Sequence, residues 1–345
     1  MIESPSTSTP VRTVLVRTEV PESVVTVEDL QRGTFVFLQG VAGTGKTFLA
    51  KQLTEVDEGT VLTATTGIAS VNLGDGQTLN SLLRYFDTAD LVRAHTSRYL
   101  QMRLRDLRRS GVTTILLDEV SMLAADQLTC LVQAIEEVNN ERSFDADLEA
   151  QWYGGDDPPE MRLVITGDFG QLPPVKAPFA FEAPEWGRFA DHTLTLTKIW
   201  RQEQIEWAEA LKAVRRGDPR PALPMIRPQF AARLDPHFPG TTIVAKNELV
   251  DRINADRYAL LPGAEMTFPA IRSGEQQKDW LRLITHQLKL KDGSLVMMLA
   301  YRRDGLDPTN PTYLYVNGDL GTVVGKDPHT GAPQVRVHRT GQVEE

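Results

Sequence analysis

Hydrophobic residues along this chain fall into two kinds of pattern. Short, nearly unbroken apolar runs recur at Thr34–Gln39 (TFVFLQ), Thr60–Ala64 (TVLTA), Val112–Asp118 (VTTILLD) and Met161–Thr166 (MRLVIT), with a further one at Thr193–Leu196. Runs of this kind predict strands covered on both faces. Between them, apolar residues return at helical spacing over Lys46–Val56, along an Arg-rich stretch near Thr96–Arg109, and over Ser121–Asn139. Strands alternating with helices predict an α/β layer fold built on a parallel sheet.

The alternation stops near Ile199–Arg201, which sets the predicted organisation. Residues 1–28 begin MIESPSTSTP, and their Ser, Thr and Pro content predicts a weakly ordered tail. Residues 29–198 form the sheet lobe, and 199–345 a second unit. In that second unit a helix is expected at Gln204–Arg216 and a strand–helix pair at TTIVAKNELVDRINADRYALL. The segments KDGSLVMML, YLYVNGDLGTVVG and DPHTGAPQVRVH then read as short strands with turns, a small β-rich unit. Glu149–Met161 (EAQWYGGDDPPEM) reads as a loop inside the sheet lobe, because a strand follows it.

Composition narrows the class. With 345 residues, 41% of them hydrophobic, the chain has enough apolar material for a sizeable core. A net charge of −9 argues against non-specific coating of nucleic acid, while leaving room for a local basic groove. The single cysteine, Cys130, excludes an intramolecular disulfide and fits a reducing, cytoplasmic setting. It lies in an apolar-periodic stretch and reads as a small buried hydrophobe. No apolar run approaches the roughly 18–20 residues that span a bilayer.

Chemistry concentrates at the ends of the predicted strands. Gly40–Thr47 (GVAGTGKT) matches the P-loop pattern, and it follows one strand and opens one helix. Gly40, Gly43 and Gly45 let backbone N–H groups, with that of Thr44, turn inward around phosphates at a helix N-terminus. Lys46 would neutralise the β- and γ-phosphates, and Thr47 would ligate Mg²⁺. The apolar run TILLDE ends in a second carboxylate, Asp118, placed to hold Mg²⁺, and in Glu119, placed to polarise an attacking water. Together these residues describe a P-loop NTPase that hydrolyses its nucleotide rather than transferring the phosphoryl group.

Two tripeptides point elsewhere and fail. Asp168-Phe169-Gly170 and Ala183-Pro184-Glu185 spell the DFG and APE of a protein kinase. No HRD precedes them, and Gly43-Thr44-Gly45 continues as Lys-Thr-Phe without the third glycine of a kinase loop.

In order along the chain, GVAGTGKT, LTATTGIAS, LLDEVSM, GDFGQLPPV and LTKIWRQ resemble motifs I, Ia, II, III and IV of the RecD/Pif-type helicases of superfamily 1B, a group that includes the phage Dda helicases. TIVAKNELVDRIN, LKLKDGSLVMML and YVNGDLGTVVG resemble that family's second-lobe segments. The resemblance implies a RecA-like lobe followed by a partial second RecA-like lobe with a small β-rich insert, and ATP with Mg²⁺ in the cleft. It implies an ATP-dependent helicase that moves 5′-to-3′ on single-stranded DNA or a 5′-tailed duplex. The setting it implies is replication, repair or recombination in a bacterial or phage-infected cell. By position, Gln171 would sense the γ-phosphate and Arg201 would act as an arginine finger from the second lobe. Thr66 and Gly67 would touch the DNA backbone, and so would Asn80, which stands where the family commonly has His.

The chain also departs from the family. The Gln that reads adenine is not supplied ahead of the P-loop, since Gln31 lies too close to it. A T-x-H-x-x-Q-G segment and a later Ser-Arg pair, motifs V and VI, are not found before Glu345, so the second lobe is expected to be incomplete. An alternative therefore stays open: a truncated or degenerate P-loop module that binds ATP and DNA without processive unwinding. The arginines near Thr96–Arg109 read as the solvated face of an amphipathic helix, and Trp152, Trp200 and Trp207 as packing residues.

Overall fold

In the computed structural model, the described residues are 25–74, 76–140, 159–200, 205–226, 241–244, 246–270, 286–300, 302–303 and 313–344. Six strands form one sheet: β1 (Phe35–Gly40), β2 (Thr60–Ala64), β3 (Gln77–Thr78), β4 (Thr114–Asp118), β5 (Arg162–Gly167) and β6 (Thr193–Leu196). Their order is β3-β2-β4-β5-β1-β6, and every pairing between neighbours is parallel.

Alternation along the strands explains why the runs are continuous. Phe35, Phe37, Ile115, Leu117, Leu163 and Ile165 pack on one face. Val36, Leu38, Leu116 and Val164 pack on the other with Leu49, Ala50 and Leu53. Side chains on a strand point alternately to its two sides, so a strand buried on both needs apolar residues at every position. Helix α1 (Val27–Leu30) and helix α2 (Lys46–Val56) belong to the second face. The first face is covered by α4 (Leu79–Leu83), α5 (Thr88–Thr96), α6 (Tyr99–Arg109) and α7 (Ala125–Asn140). The short α3 (Gly67–Asn72) follows β2.

Two helical expectations are corrected. The helix expected near Thr96–Arg109 is α6, which starts only at Tyr99 because Arg98, with a φ of 67°, separates it from α5. Its arginines are not simply a solvated face. Arg108 is buried and donates to Val138 O, and Arg103 Nε donates to Leu82 O. The segment from Ser121 begins as a short 3-10 turn, Val120–Met122, before α7. Cys130 is buried on α7, and burial pushes its thiol pKa up, consistent with a packing role.

After Trp200, α8 (Ile205–Arg215) and a helix at Asn247–Leu260 precede a set of short strands. These are β7 (Met266–Pro269), β8 (Gln287–Leu290), β9 (Leu295–Met297), β10 (Arg302–Arg303), β11 (Tyr313–Tyr315), β12 (Leu320–Lys326), β13 (Pro333–Val337) and β14 (Val343–Glu344). Every pairing described among them is antiparallel, with a four-stranded sheet in the order β14-β13-β12-β9. The strand expected at TTIVA is not formed over residues 241–244. Ile243 is 93% exposed, and a β-branched run becomes a strand only when a neighbouring edge takes its hydrogen bonds.

Candidate nucleotide and DNA site

All six strands run the same way, so the residues that leave their C-terminal ends meet along one edge of the sheet. In an open parallel sheet, ligands bind outside this edge. β1 delivers Gly40 into the phosphate loop, and α2 begins at Lys46. Gly43 and Gly45 have φ of 85° and 94°, a region costly for residues with a Cβ. Thr44 Oγ1 donates to Val41 O and ties the loop to itself. A Cβ on Gly40 would come within 2.5 Å of that same hydroxyl.

Lys46 is buried beneath the loop, where its ammonium donates to Gly40 O at 2.8 Å and to Val41 O at 3.2 Å. Burial lowers its pKa, while Asp168, Asp118 and Glu119 nearby favour the charged form. The first turn of α2 places Thr47 Oγ1 3.1 Å from Asp118 Oδ2. The other oxygen of Asp118 accepts from Glu119 N at 2.8 Å and from Thr166 Oγ1 on the neighbouring β5 at 3.3 Å. A hydroxyl and a carboxylate are hard oxygen donors of the type Mg²⁺ takes, alongside waters and phosphate oxygens. Among the described residues no cluster of three or more His, Cys, Asp or Glu could hold a metal by itself.

Glu119 leaves β4 with a φ of 59°, uncommon for a residue with a side chain. It lines the cavity that opens over the phosphate loop. Burial, then the adjacent Asp118 and the nearby Asp168, raise its pKa, and Lys46 opposes them. Gln171 comes from the turn after β5 and lines the same cavity. Its N–H donates to Asp168 O at 2.9 Å. The space amounts to about 980 Å³ and is bounded further by Phe48, Gln52, Lys198 and Trp200.

Of the predicted phosphate and catalytic residues, Gly43, Thr44, Gly45, Lys46, Thr47, Glu119 and Gln171 line this one cavity. Gly40 and Asp118 touch that set directly. Arg201 lies outside the described residues. The expectation of a packing role for Trp200 is corrected: its ring is largely exposed, the residue being 68% accessible, and it is the main-chain N–H that donates to Gly43 O at 2.8 Å. Lys198 Nζ sits 3.6 Å from the centre of its ring.

The predicted DNA residues stand further along the edge. Thr66 caps α3 by accepting from Ala69 N, and Gly67 is the first, buried residue of that helix. Asn80 lines a separate cavity of about 250 Å³ with Thr65, Phe86 and Gln127, and its amide donates to Phe86 O at 3.0 Å. That bond occupies one of the donors that a phosphate contact would use. Thr65 connects the two regions, since its Oγ1 donates to Glu119 O at 2.9 Å.

Sequence reasoning missed Thr65, Thr166 and Arg215. The first two were within reach, as hydroxyl residues at the C-terminal ends of strands. Arg215 ends α8 and pairs with Asp168 Oδ1, a contact that only the folded chain brings together.

The sequence profile of a family described as PIF1-like helicase matches residues 16–216. An ATP-dependent DNA helicase PIF1 of Emericella nidulans is 31% identical over 327 residues, covering 86% of this chain and 40% of that protein. The Pif1 helicase of Candida albicans superposes with a TM-score of 0.62 at 24% identity, over 90% of this chain and 74% of that one. A Bacteroides Pif1 helicase in complex with ADP-AlF3 and single-stranded DNA superposes at 0.55 and 23% identity, over 93% and 74%. These structural likenesses bear on the fold alone. The chain spans about half the length of the curated relatives it matches, between 40% and 52% of the first three.

Proposed function

The chain belongs to the PIF1-like helicase family, and from that premise we propose that it is an ATP-driven motor on single-stranded DNA. The observation that carries the proposal is the meeting of phosphate loop, Glu119 and Gln171 around one cavity.

In this reading the backbone of Gly43–Thr47 and the Lys46 ammonium hold the phosphates of ATP. Thr47 and Asp118 hold Mg²⁺, which supplies charge neutralisation and alignment of the phosphates. Hydrolysis joins a water oxygen to the γ-phosphorus and breaks that phosphorus's bond to the bridging oxygen, and Glu119 orients the water and takes its proton. A raised pKa suits Glu119 to the task, because a base works best when its affinity for protons is near ambient pH. Gln171 reports the presence of the γ-phosphate from the turn after β5. Arg201 completes the charge from the second lobe. Thr66, Gly67 and Asn80 contact the DNA backbone, and closing of the lobes couples hydrolysis to 5′-to-3′ movement and unwinding. A reducing, cytoplasmic setting and partners from replication or recombination belong to the same proposal.

The test is ATP hydrolysis with and without single-stranded DNA, together with strand displacement on a 5′-tailed duplex. Hydrolysis stimulated by DNA and abolished by Lys46→Ala is expected. Equal hydrolysis with and without DNA would sink the motor reading.

A further inference from the structure

Asp168 is only 5% exposed, yet it carries a carboxylate, so its partners decide what it does. One oxygen accepts from Gly170 N at 2.9 Å. Its main-chain carbonyl accepts from Gln171 N, also at 2.9 Å. These two bonds fold the turn that presents Gln171 to the cavity. The charge on the carboxylate is met by Arg215, which reaches across from the last turn of α8 to the same oxygen. Arg215 thus lies outside the six-stranded sheet lobe and holds the residue that shapes the Gln171 turn.

The guanidinium lies close over Gly170, so that a side chain there would move it. A Cβ on Gly170 would overlap the guanidinium, coming within 2.9 Å of Arg215 Cζ. The charge of Arg215 is also felt at Lys46, where it opposes the pull of Asp168, Asp118 and Glu119. The ion pair is therefore tied to the phosphate loop electrostatically as well as to the Gln171 turn covalently.

We propose that Arg215 is a positioning residue: by holding Asp168 it fixes the turn that carries Gln171, and it makes that turn answer to movement of α8. Helix α8 starts five residues after Trp200, just beyond the last strand of the sheet. A shift of that helix relative to the sheet would reach Gln171 through a single ion pair. The inference rests on the ATPase reading above, in which Gln171 meets the γ-phosphate.

Three variants of the full chain test it: Arg215→Gln, Arg215→Lys and Gly170→Ala. The last adds a methyl that displaces the guanidinium without changing either charge. Two readouts are used, the kcat and KM of DNA-stimulated ATP hydrolysis and amide hydrogen exchange over residues 168–172. Arg215→Gln and Gly170→Ala should each lower kcat by about ten- to a hundredfold, the size of effect that misplacing a catalytic group by about an ångström produces. KM should stay within about twofold. Exchange at Gly170 and Gln171 should quicken while amides of β4 and β5 keep their protection, and Arg215→Lys should restore part of both signals. Unchanged kcat with unchanged exchange at the turn would overturn the proposal. Faster exchange across the whole sheet without rescue by Lys would overturn it too, since it would mark a purely structural role. If the wild-type chain hydrolyses no ATP, the motor reading fails, and exchange at Gly170 and Gln171 still decides whether Arg215 holds the turn.

Discussion

Glu119 keeps its proton more tightly than a carboxyl in water, first because it is partly buried and then because Asp118 and Asp168 stand close. A folded pKa above 4.5 means that the native state binds more protons than the unfolded chain as pH rises past 4.5. The contribution of this group to stability is thus present at low pH and is lost as pH climbs through the raised value. Above it, the native state carries a poorly solvated charge. Replacing Glu119 by Gln should therefore raise the melting temperature at neutral pH, and the gain should vanish as pH falls toward 4. The same variant should still bind ATP in an equilibrium filter assay. Its hydrolysis should fall by about 10²–10⁴-fold, the usual worth of a positioned base. A Glu119→Gln protein that hydrolyses at the wild-type rate would remove Glu119 from the mechanism.

At the scale of elements, what could be read from sequence was whatever local spacing encodes. The inner strands were legible because burial on both faces forces nearly unbroken apolar runs, whereas β6, at the sheet's edge and partly exposed, shows only the alternation TLTL. GVAGTGKT was legible because a phosphate loop needs its glycines, lysine and hydroxyl within eight consecutive residues. The break at Arg98 and the unpaired segment at 241–244 were not, because each depends on what packs alongside. Arg215 was hidden for the same reason, since its partner Asp168 lies 47 residues away in the chain. The sheet's dependence on its second face is itself testable. Leu116 is fully buried in the centre of β4, between α2 and the neighbouring strands β2 and β5. Leu116→Ala should cost about 2–5 kcal/mol in denaturant unfolding, the range for a large-to-small change in a packed core. A loss below about 1 kcal/mol would show that this layer collapses around the cavity.

Across the molecule, three contacts among the described residues join the part beyond the sheet to the functional edge, and each lies beside a residue with a proposed role. The Trp200 amide bonds Gly43 in the phosphate loop, and Arg215 holds Asp168 next to Gln171. The third is the β-rich unit. Its turn at Val316–Asp319 is braced by Arg339, which donates to both oxygens of the nearly buried Asp319. Gly318 in that turn has a φ of 97° and lies against Ile68, the residue after Gly67. A net charge of −9 gives no long-range pull on DNA, so binding must depend on local fit along this edge. Gly318→Ala should disturb that fit twice over. The backbone strain costs about 1–2 kcal/mol in the turn. The new Cβ would also stand 2.5 Å from Ile68 Cδ1, so the Ile68 side chain must turn away and the contact between the β-rich unit and α3 is altered. DNA stimulation of ATP hydrolysis should fall severalfold, while hydrolysis without DNA stays as it was. Adding Ile68→Ala clears the overlap and should restore stimulation in part, leaving only the backbone strain. Loss of DNA-free hydrolysis as well would mean that the contact supports the sheet itself, and the β-rich unit would then have no separate part in sensing DNA.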